Sequence, residues 1–591
     1  MVKRKQRFSI LLLFSLVIIA NLLGRSFFTR IDLTQEKRFT LSNTTKELID
    51  SLQDVAYFTI YLDGDFPKQY QHLKNAISDL LYTMRLESRG KVDFQFQDVL
   101  STANAKEKED ILKQFSEKGL LIVRPEIDDN QSISNNFIIP SGLIFYQNTE
   151  YPINFLKRKF GTSIQEEINI SIEQIEYEID NILRLLVAQN APKIAFLEGH
   201  GELKPEEIID IKSELSKFYS VSRVNLNLND TQALKPLAKQ IGDSENAELA
   251  IIEEMLKYMS QFEGLIIAKP RKRFLELEKF LLDQYIMQGG KVIFLVESLI
   301  AEMDSVQKYS QITTADYDLN LDDLLFRFGV RINPNLIQDL NCHGIPVVMK
   351  RAGNRPQILP WVFYPLFNPS SNHPIVKNLP AIWGRFVSSI DTTSNKNIKK
   401  TPLLQSSQNS RVAFNPVNIN MNLVQLGMDR NTELFRQSNQ ISAVLLEGEF
   451  KSAFTYRQGF QNSSIPFVPS IKSNQMIVLS DGDFIRNQVV YSGQAYQALP
   501  LGFDRYASKQ MGVPIKFENK RFFLNCVDFL MGYQDIINVR SKKVALRLLN
   551  KTKVKKEKSK WIVINMLLPV LLVVLIGIIN SIIRKRKYQS V

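Results

Sequence analysis

Residues 198–202, with the sequence Glu-Gly-His-Gly-Glu, form the densest group of chemically capable side chains in the chain. They follow a predicted strand and precede a predicted helix. Two glycines at such a turn are typical of phosphate binding, because a helix N-terminus presents free N–H groups. The dinucleotide fingerprint needs a third glycine, and Lys204 stands in its place, while Glu206 and Glu207 add charge that repels phosphate. We therefore predict that Glu198–Glu202, including His200, is a tight structural turn.

Histidines and aspartates suggest two metal sites, and neither has the required spacing. No histidine lies three or four residues from another, the spacing that brings two ligands together on one helix face. The sequence Ser480-Asp481-Gly482-Asp483 resembles part of a calcium loop, but the other EF-hand positions do not match. We predict a simple turn there and no metal ligand. The four histidines are His72, His200, His343 and His373.

Candidate nucleophiles lack the surroundings that activate them. Ser298 follows a predicted strand, as a nucleophile elbow would, but an elbow needs small flanking residues and Ser298 lies between Glu297 and Leu299. Cys342 and His343 are adjacent in sequence, which rarely places two side chains together. The sequence contains neither G-x-S-x-G nor a Walker A motif. We predict no catalytic or cofactor-binding residue and expect a protein that is not an enzyme.

The two cysteines, Cys342 and Cys526, leave one question open. A single disulfide between them is compatible with the sequence, but a chain of this size can stabilise itself by core burial alone. Two buried thiols are the favoured interpretation.

Periodicity predicts an α/β protein with two parts between two membrane anchors. In the N-terminal module (29–190), strands and helices alternate before a hairpin and one long helix over 163–188, giving a module of thioredoxin-like size. In the second domain (191–550), strands alternate with helices, which favours a mainly parallel sheet with helices on both faces. Beyond residue 340 the pattern is weaker, and 391–410 and 428–440 look like loops.

Two apolar runs predict membrane-spanning helices. Residues 561–583 contain no charge, and at about 1.5 Å per residue they cover roughly 34 Å, enough for a hydrocarbon core of about 30 Å. The run at 8–28 is an anchor in our interpretation; a cleaved signal peptide is the alternative, although no small-x-small site follows. The flanking segments are basic: a start at 1–7, a linker at 551–560 and a tail at 584–591.

The positive net charge of the chain comes from the segments that flank the two apolar runs. The formal net charge is +13; residues 1–25 contribute +5 and residues 551–591 contribute +9, so the body between them carries about −1. This distribution argues against a nucleic-acid partner, which needs a basic surface on the folded body. The basic start predicts cytoplasmic termini and a periplasmic body, although the lysines of 551–560 would then lie on the outer side.

Several segments, in order along the chain, carry a family resemblance: 32–42, 61–67, 196–202, 359–366, 444–448, 480–488 and 547–549. Together they resemble the GldG family of gliding-motility-associated auxiliary proteins of bacterial ABC transporters, and more broadly the uncharacterised ABC-transport auxiliary proteins. The resemblance implies an inner-membrane protein with a glutamine-amidotransferase-like α/β domain in the periplasm, and an ABC permease and an ABC ATPase on separate chains. It implies no catalytic residue.

We therefore expect a non-catalytic accessory subunit of a bacterial ABC transport system linked to gliding motility. Two alternatives stay open: an envelope scaffold without a transport role, and a membrane-tethered hydrolase with an unrecognised site. The expected partners are the permease, the ATPase and the lipid bilayer. The transported substrate and the stoichiometry do not follow from the sequence.

Overall fold

The computed structural model describes most of the chain beyond residue 39. The described residues fall into two units, one reaching Lys542 and one from Lys543 onward. The predicted anchor at 8–28 and the basic start lie outside them. The described ranges are 40–101, 104–124, 137–157, 163–187, 191–230, 247–348, 356–369, 371–457, 467–493, 495–512, 514–540 and 551–588.

The N-terminal module is a four-stranded sheet in the order β2-β1-β3-β4, covered by helices. The β1–β2 pair is parallel and the other pairs are antiparallel. Ser42 caps the first helix, since its hydroxyl accepts a hydrogen bond from the N–H of Thr45. Its elements are α1 (Asn43–Ser51), β1 (Ala56–Ile60), α2 (Lys68–Glu87), β2 (Val92–Phe96), α3 (Ala105–Glu117), β3 (Ser141–Tyr146), β4 (Thr149–Asn154) and α4 (Ile164–Val187).

The second domain begins with the strand–helix alternation that the sequence predicts. Strands such as Gly264–Ala268 are apolar throughout and buried on both faces, as parallel strands between two helical layers must be. Its first elements are β5 (Lys193–Glu198), α5 (Ile209–Leu215), β6 (Ser220–Asn225), α6 (Ala247–Met259), β7 (Gly264–Ala268), α7 (Glu276–Met287) and β8 (Lys291–Leu295).

The remainder of this domain is richer in strands than in helices. Short 3₁₀ turns cover 205–207, 421–423, 432–434 and 482–485. The elements are α8 (Met303–Tyr309), β9 (Gln311–Thr313), α9 (Asp322–Arg327), β10 (Val330–Ile332), β11 (Asn335–Asp339), β12 (Cys342–Val348), β13 (Pro356–Phe367), β14 (Ile382–Trp383), β15 (Ile390–Thr392), β16 (Ile398–Gln405), β17 (Ser410–Phe414), β18 (Asn418–Asn420), α10 (Val424–Asp429), β19 (Ile441–Lys451), β20 (Ser470–Leu479), β21 (Val489–Ser492), β22 (Ala495–Ala498), β23 (Phe503–Asp504), α11 (Arg505–Met511), β24 (Ile515–Lys516), α12 (Asn519–Leu530) and α13 (Gln534–Arg540).

The central sheet has seven strands in the order β16-β19-β20-β8-β7-β5-β6. The five strands from β20 to β6 are parallel, in the 2-1-3-4-5 arrangement of doubly wound sheets. One apolar cluster packs α6 and α7 on one face, and a second packs α5 and α12 on the other. The likeness to an amidotransferase-like domain stays a prediction.

The expectation of a mainly parallel sheet needs correction. Within the described residues, β19 pairs antiparallel with both β16 and β20, and the smaller sheets of this domain are antiparallel as well. The physical reason is that strand–helix alternation gives way after β10 to strands that mostly follow one another directly, and parallel pairing needs a crossover connection. The segment 391–410, which looked like a loop, contains β16.

The C-terminal unit contains the helix α14 (Lys551–Tyr588). Its segment Glu557–Ile583 is long and apolar enough to cross a membrane, and its apolar side chains are exposed. The basic residues from Lys551 onward belong to the same helix. Among the described residues this is the single helix that meets the criterion for a span.

Candidate functional site

Three neighbouring parallel strands of the central sheet, β7, β8 and β20, are each followed by charged residues at their carboxyl ends. Lys269 comes directly after β7, Glu297 two residues after β8, and Asp481 and Asp483 shortly after β20. Lys269 adopts a left-handed conformation with φ of +56°, and its N–H donates to the carbonyl of Leu295. Because carboxyl ends of parallel strands meet at one edge, these side chains converge.

The ammonium of Lys269 lies at the centre of this group. Its Nζ is 2.9 Å from a carboxylate oxygen of each of Glu297, Glu302 and Asp483. Its side chain is 0% exposed, and those of Glu297 and Asp483 are nearly as buried. Arg486 adds a second cation, 3.3 Å from Asp483 and from Glu302. We call these five residues the Lys269 cluster.

The turn Asp481–Asp483 holds the cluster in shape. Asp481 begins the 3₁₀ turn at 482–485 and accepts hydrogen bonds from the N–H of Asp483 and the N–H of Arg385, both at 2.7 Å. A side chain on Gly482 would place Cβ 2.4 Å from Cβ of Lys269. Gly482 is therefore required by the close approach of the two chain segments. The aspartates form a turn, as the sequence suggests, and one of them also pairs with the buried lysine.

The pKa values of the acids in and beside the cluster shift in different directions. Burial raises the pKa of Glu297 to about 8, against the opposing charge of Lys269. Burial and the charge of Asp483 raise the pKa of Asp481 to about 7. For Asp483 and Lys269, burial works against the charged form, but their mutual attraction outweighs it: the pKa of Asp483 is well below its usual value and that of Lys269 well above. The stable arrangement is an ionised Lys269–Asp483 pair beside acids that take up protons near neutral pH.

The cluster offers carboxylates to a metal, yet a side-chain cation already occupies them. Ligand oxygens of Glu297, Asp481 and Asp483 lie within 4.8 Å of one another. The ammonium of Lys269 approaches two of these three residues at 2.9 Å, so a metal ion would have to displace it. We assign the carboxylates to Lys269.

His200 anchors the turn after β5. Its ring stacks on Phe274 with centroids 3.8 Å apart, and its Nε2 lies 2.9 Å from Glu278. Burial alone would lower the pKa of His200, but hydrogen bonds to Glu202 and Glu278 raise it. Gly199 has φ of +113°, and a Cβ there would meet the side chain of Asn225 at 2.4 Å. The segment 198–202 thus has the geometry of a tight turn tied to α7.

Each of the nucleophile candidates has its own set of structural partners. The hydroxyl of Ser298 donates to the carbonyl of Asn333 at 2.9 Å and lies 2.7 Å from the hydroxyl of Ser388. His343 pairs with Asp504 at 2.5 Å. Burial raises the pKa of the Cys342 thiol to about 12. None of these groups has the base or the lowered pKa that activates a nucleophile.

The two cysteines are both free thiols. Cys526 is fully buried in α12, and burial raises its pKa well above the usual value. Two free thiols agree with the favoured interpretation, but Cys526 alone is fully buried and Cys342 is half-buried.

A cleft of about 710 Å³ opens beside the Lys269 cluster. Three cluster residues, Glu302, Asp483 and Arg486, form part of its wall, together with Arg385 and Trp383. A larger cleft of about 1070 Å³ lies on the side of Glu297. The cluster therefore separates two solvent-accessible spaces at the carboxyl edge of the sheet.

A second buried charge group joins the two modules. Asp528 of α12 accepts hydrogen bonds from Arg184 of α4 at 3.2 Å, from Tyr219 at 2.7 Å and from Arg540 of α13 at 2.8 Å. The guanidinium of Arg184 lies 3.5 Å from the ring centroid of Tyr533. Two buried arginines thus depend on one carboxylate.

The domain that holds the Lys269 cluster also carries the family signature. A family model described as an ABC-type uncharacterized transport system matches residues 191–526, more than half of the chain. The chain belongs to this family. A domain of unknown function matches residues 35–144, within the N-terminal module. The resemblance to ABC-transport auxiliary proteins is thereby confirmed at the level of the family.

A relative of this ABC-type transport family member matches most of the chain. An uncharacterized protein of Borreliella burgdorferi is 21% identical over 564 residues, which is 94% of each chain. A solved structure titled mmIFT52 N-terminal domain aligns with 57% of this chain and 97% of its own, at 11% identity and a TM-score of 0.30, which is too distant to support an argument.

One feature of the sequence points to residues of the Lys269 cluster, although no motif contains it. Lys269, Glu297 and Asp483 stand beyond the ends of three strongly apolar strands, where an ordinary loop has no need of a charge. Glu302 and Arg486 follow within a few residues. Charged residues directly after buried strands indicate the carboxyl edge of a parallel sheet, so this pattern marks the individual residues as candidates. Which partners pair with which depends on strand order, and the sequence does not state that order.

Proposed function

We propose that the protein is a non-catalytic accessory subunit of a bacterial ABC transport system, anchored in the inner membrane with its body in the periplasm. The observation that carries the proposal is the family match over 191–526 together with the apolar helix Glu557–Ile583. The proposed partners are a permease and an ATPase on separate chains. The link to gliding motility, and to GldG in particular, rests on the sequence resemblance alone.

A role without catalysis has physical support. The hydroxyl of Ser298 is hydrogen-bonded within the structure, and burial raises the pKa of the Cys342 thiol. Lys269, as a further possible nucleophile, is held as a cation by the acids around it. A lysine nucleophile or base must lose its proton, and the ionised Asp483, 2.9 Å from the ammonium of Lys269, opposes that loss. The Lys269 cluster therefore suits a structural role at the edge of the sheet.

Docking through the membrane helix has a chemical basis. Asn565 and Asn580 are amides within the apolar segment, and an amide hydrogen bond to a neighbouring transmembrane helix contributes about 0.5–2 kcal/mol. A single apolar helix offers no lined route for a substrate. We propose that α14 docks on the permease and leaves transport to it.

The test is an exchange of the anchors. Residues 8–28 and 557–583 are replaced by unrelated spanning helices, and tagged chains are purified from native membranes in mild detergent. We expect the unaltered chain to recover a multi-span protein and an ATPase, and the exchanged chain to recover much less of both with its body still folded. Equal recovery by the body alone, residues 30–550, would place docking outside the membrane and contradict the proposal. Recovery of neither partner would favour the envelope scaffold.

Orientation is tested separately by cysteine labelling in cells with a permeabilised outer membrane. Both native cysteines are first replaced by serine. A cysteine at exposed Asn409 should react with an impermeant maleimide, and one at Ser590 should not. The reverse pattern would contradict a periplasmic body.

A further inference from the structure

The cleft beside the Lys269 cluster has the size and position of a ligand site. Its volume of about 710 Å³ lies in the range of about 300–1,000 Å³ that is usual for small-molecule pockets. It lies at the carboxyl edge of the parallel strands, where ligands of α/β sheets usually bind. The position and volume of the cleft do not identify a ligand, but the charged residues of its wall indicate which class of ligand fits.

The cations of the wall fall into two groups. Arg486 is fully engaged, since it pairs with Glu207 at 2.7 Å and with Glu302 and Asp483 at 3.3 Å. Lys204, Arg385 and Arg505 also line the cleft, and none of them forms an ion pair with a described residue.

The acids of the wall are mostly occupied. Glu207, Glu302 and Asp483 pair with Arg486, and Asp504 pairs with His343. Within the described part of the chain, Asp304 is the lining acid without an ion-pair partner. The groups still available to an occupant are thus three cations and one anion.

Arg385 is positioned for a ligand by its neighbours. Its backbone N–H is fixed on Asp481 at 2.7 Å, and its guanidinium lies 4.0 Å from the ring centroid of Trp383. Arg385 is close enough to Asp483 to help lower the pKa of that carboxylate, without an ion pair between them. A guanidinium stacked on an indole keeps its N–H donors at the edge of the plane, where an acceptor can reach them.

Other groups of the wall are donors or aromatic rings. The indole Nε1 of Trp383 is buried and has no hydrogen-bond acceptor among the described residues; an indole N–H can only donate. Tyr491 and Tyr506 line the same cleft with 61% and 57% of their surface exposed. An occupant that suits this wall supplies acceptors and negative charge at one end and an apolar or planar body at the other.

We propose that this cleft binds an organic anion, whose carboxylate or phosphate group pairs with Arg385 and Arg505 and whose apolar body lies against Tyr491 and Tyr506. The proposal goes beyond the accessory role and does not depend on it. It gives the body of this subunit a ligand-binding role, separate from the docking that is proposed for α14.

The test uses matched small probes and the full-length protein in lipid nanodiscs. Binding of benzoate, phenyl phosphate and neutral benzamide is measured by isothermal titration calorimetry at low salt. We expect one of the two anions to bind at least about tenfold more tightly than benzamide, since a hydrogen bond to a charged group is stronger than one between neutral groups. Benzoate against phenyl phosphate distinguishes a carboxylate ligand from a phosphate ligand.

Variants locate the site. Arg385→Gln keeps the backbone hydrogen bond to Asp481 and should weaken the anion about tenfold; Arg505→Gln should weaken it about threefold to tenfold. Arg331→Gln is the matched control, because Arg331 lines the other cleft and also lacks an ion pair with a described residue. Thermal unfolding checks that each variant is folded.

Three results would overturn the proposal. The first is the absence of binding by both anions at millimolar concentration. The second is benzamide binding as tightly as the anions. The third is anion affinity that stays unchanged in both Arg385→Gln and Arg505→Gln, or that falls equally in Arg331→Gln.

Discussion

Arg540, the last residue of α13, donates a hydrogen bond to the hydroxyl of Tyr177 in the middle of α4. One residue earlier on α4, Glu176 accepts from the backbone N–H of Ser42 at 2.6 Å and lies 3.0 Å from the hydroxyl of Thr45. Ser42 and Arg540 stand near the two ends of the described body. One turn of α4 therefore contacts both ends of the described body.

Tyr177→Phe should lower the free energy of unfolding by about 1–3 kcal/mol. The variant keeps the ring and removes the acceptor of a buried, charged donor. Tyr82→Phe is the control, because Tyr82 is exposed on α2. Chemical denaturation of both variants measures the difference. An equal effect in the two variants would show that the hydroxyl of Tyr177 does not stabilise the fold.

Asp528→Asn should lower the free energy of unfolding by about 3–5 kcal/mol, more than Tyr177→Phe does, because it leaves two buried arginines without a counter-charge. Asp535→Asn, on the exposed surface of α13, should change stability little. Thermal unfolding of the purified chains compares them. A loss below about 1 kcal/mol for Asp528→Asn would mean that the two modules do not depend on this carboxylate.

Gly199→Ala should destabilise the body more than Gly90→Ala. Both glycines have positive φ, +113° and +92°, but a Cβ at Gly199 meets Asn225 at 2.4 Å while nothing lies within 4 Å of one at Gly90. Gly90→Ala therefore measures backbone strain alone. The excess for Gly199→Ala should be about 1–3 kcal/mol from overpacking. Equal losses of unfolding free energy for the two variants in denaturant titrations would contradict the steric clash inferred at Gly199.

Stability should fall as pH rises through the pKa of the buried acids. The pKa of Glu297 rises from 4.5 to about 8 on folding, so the folded state holds a proton that the unfolded state releases. This contribution is fully present below about pH 4.5 and is lost as pH rises through about 8. Asp481, raised from 3.8 to about 7, acts in the same direction.

Glu297→Gln isolates the larger of these two shifts. The amide mimics the protonated acid, so the decline in unfolding free energy between pH 6 and pH 8 should shrink by about 1–2 kcal/mol. Glu449→Gln, at a half-buried position of β19 away from the Lys269 cluster, is the control. Parallel pH profiles for Glu297→Gln and the unaltered chain would contradict the assignment of a proton to Glu297.

The sequence predicts the regular elements better than their pairing. The apolar stripe over 163–188 and the run at 264–268 match α4 and β7 closely, because local periodicity determines both. The edge strand β16 went unrecognised because its lysines and proline, Ile-Lys-Lys-Thr-Pro, are typical of an exposed edge rather than of a buried strand. Antiparallel pairing of β19 depends on tertiary contacts with no local signal.

In the candidate site, too, the sequence predicts the local turns but not the contacts between distant residues. The turns at 198–202 and 481–483 follow from their glycines and acidic residues, which sequence patterns capture. The Lys269 cluster joins residues separated by more than two hundred positions, from Lys269 to Arg486. Its existence follows from the strand order β20-β8-β7, which only the folded sheet specifies.

Native mass spectrometry of the complex released from native membranes tests the central claim most directly. The account predicts one assembly that contains this 68.0 kDa chain together with a multi-span permease and an ATPase. That assembly should lose this chain when the anchors are exchanged. A chain that is released alone, or only with copies of itself, while the permease and ATPase appear as a complete complex without it, would contradict the accessory-subunit account.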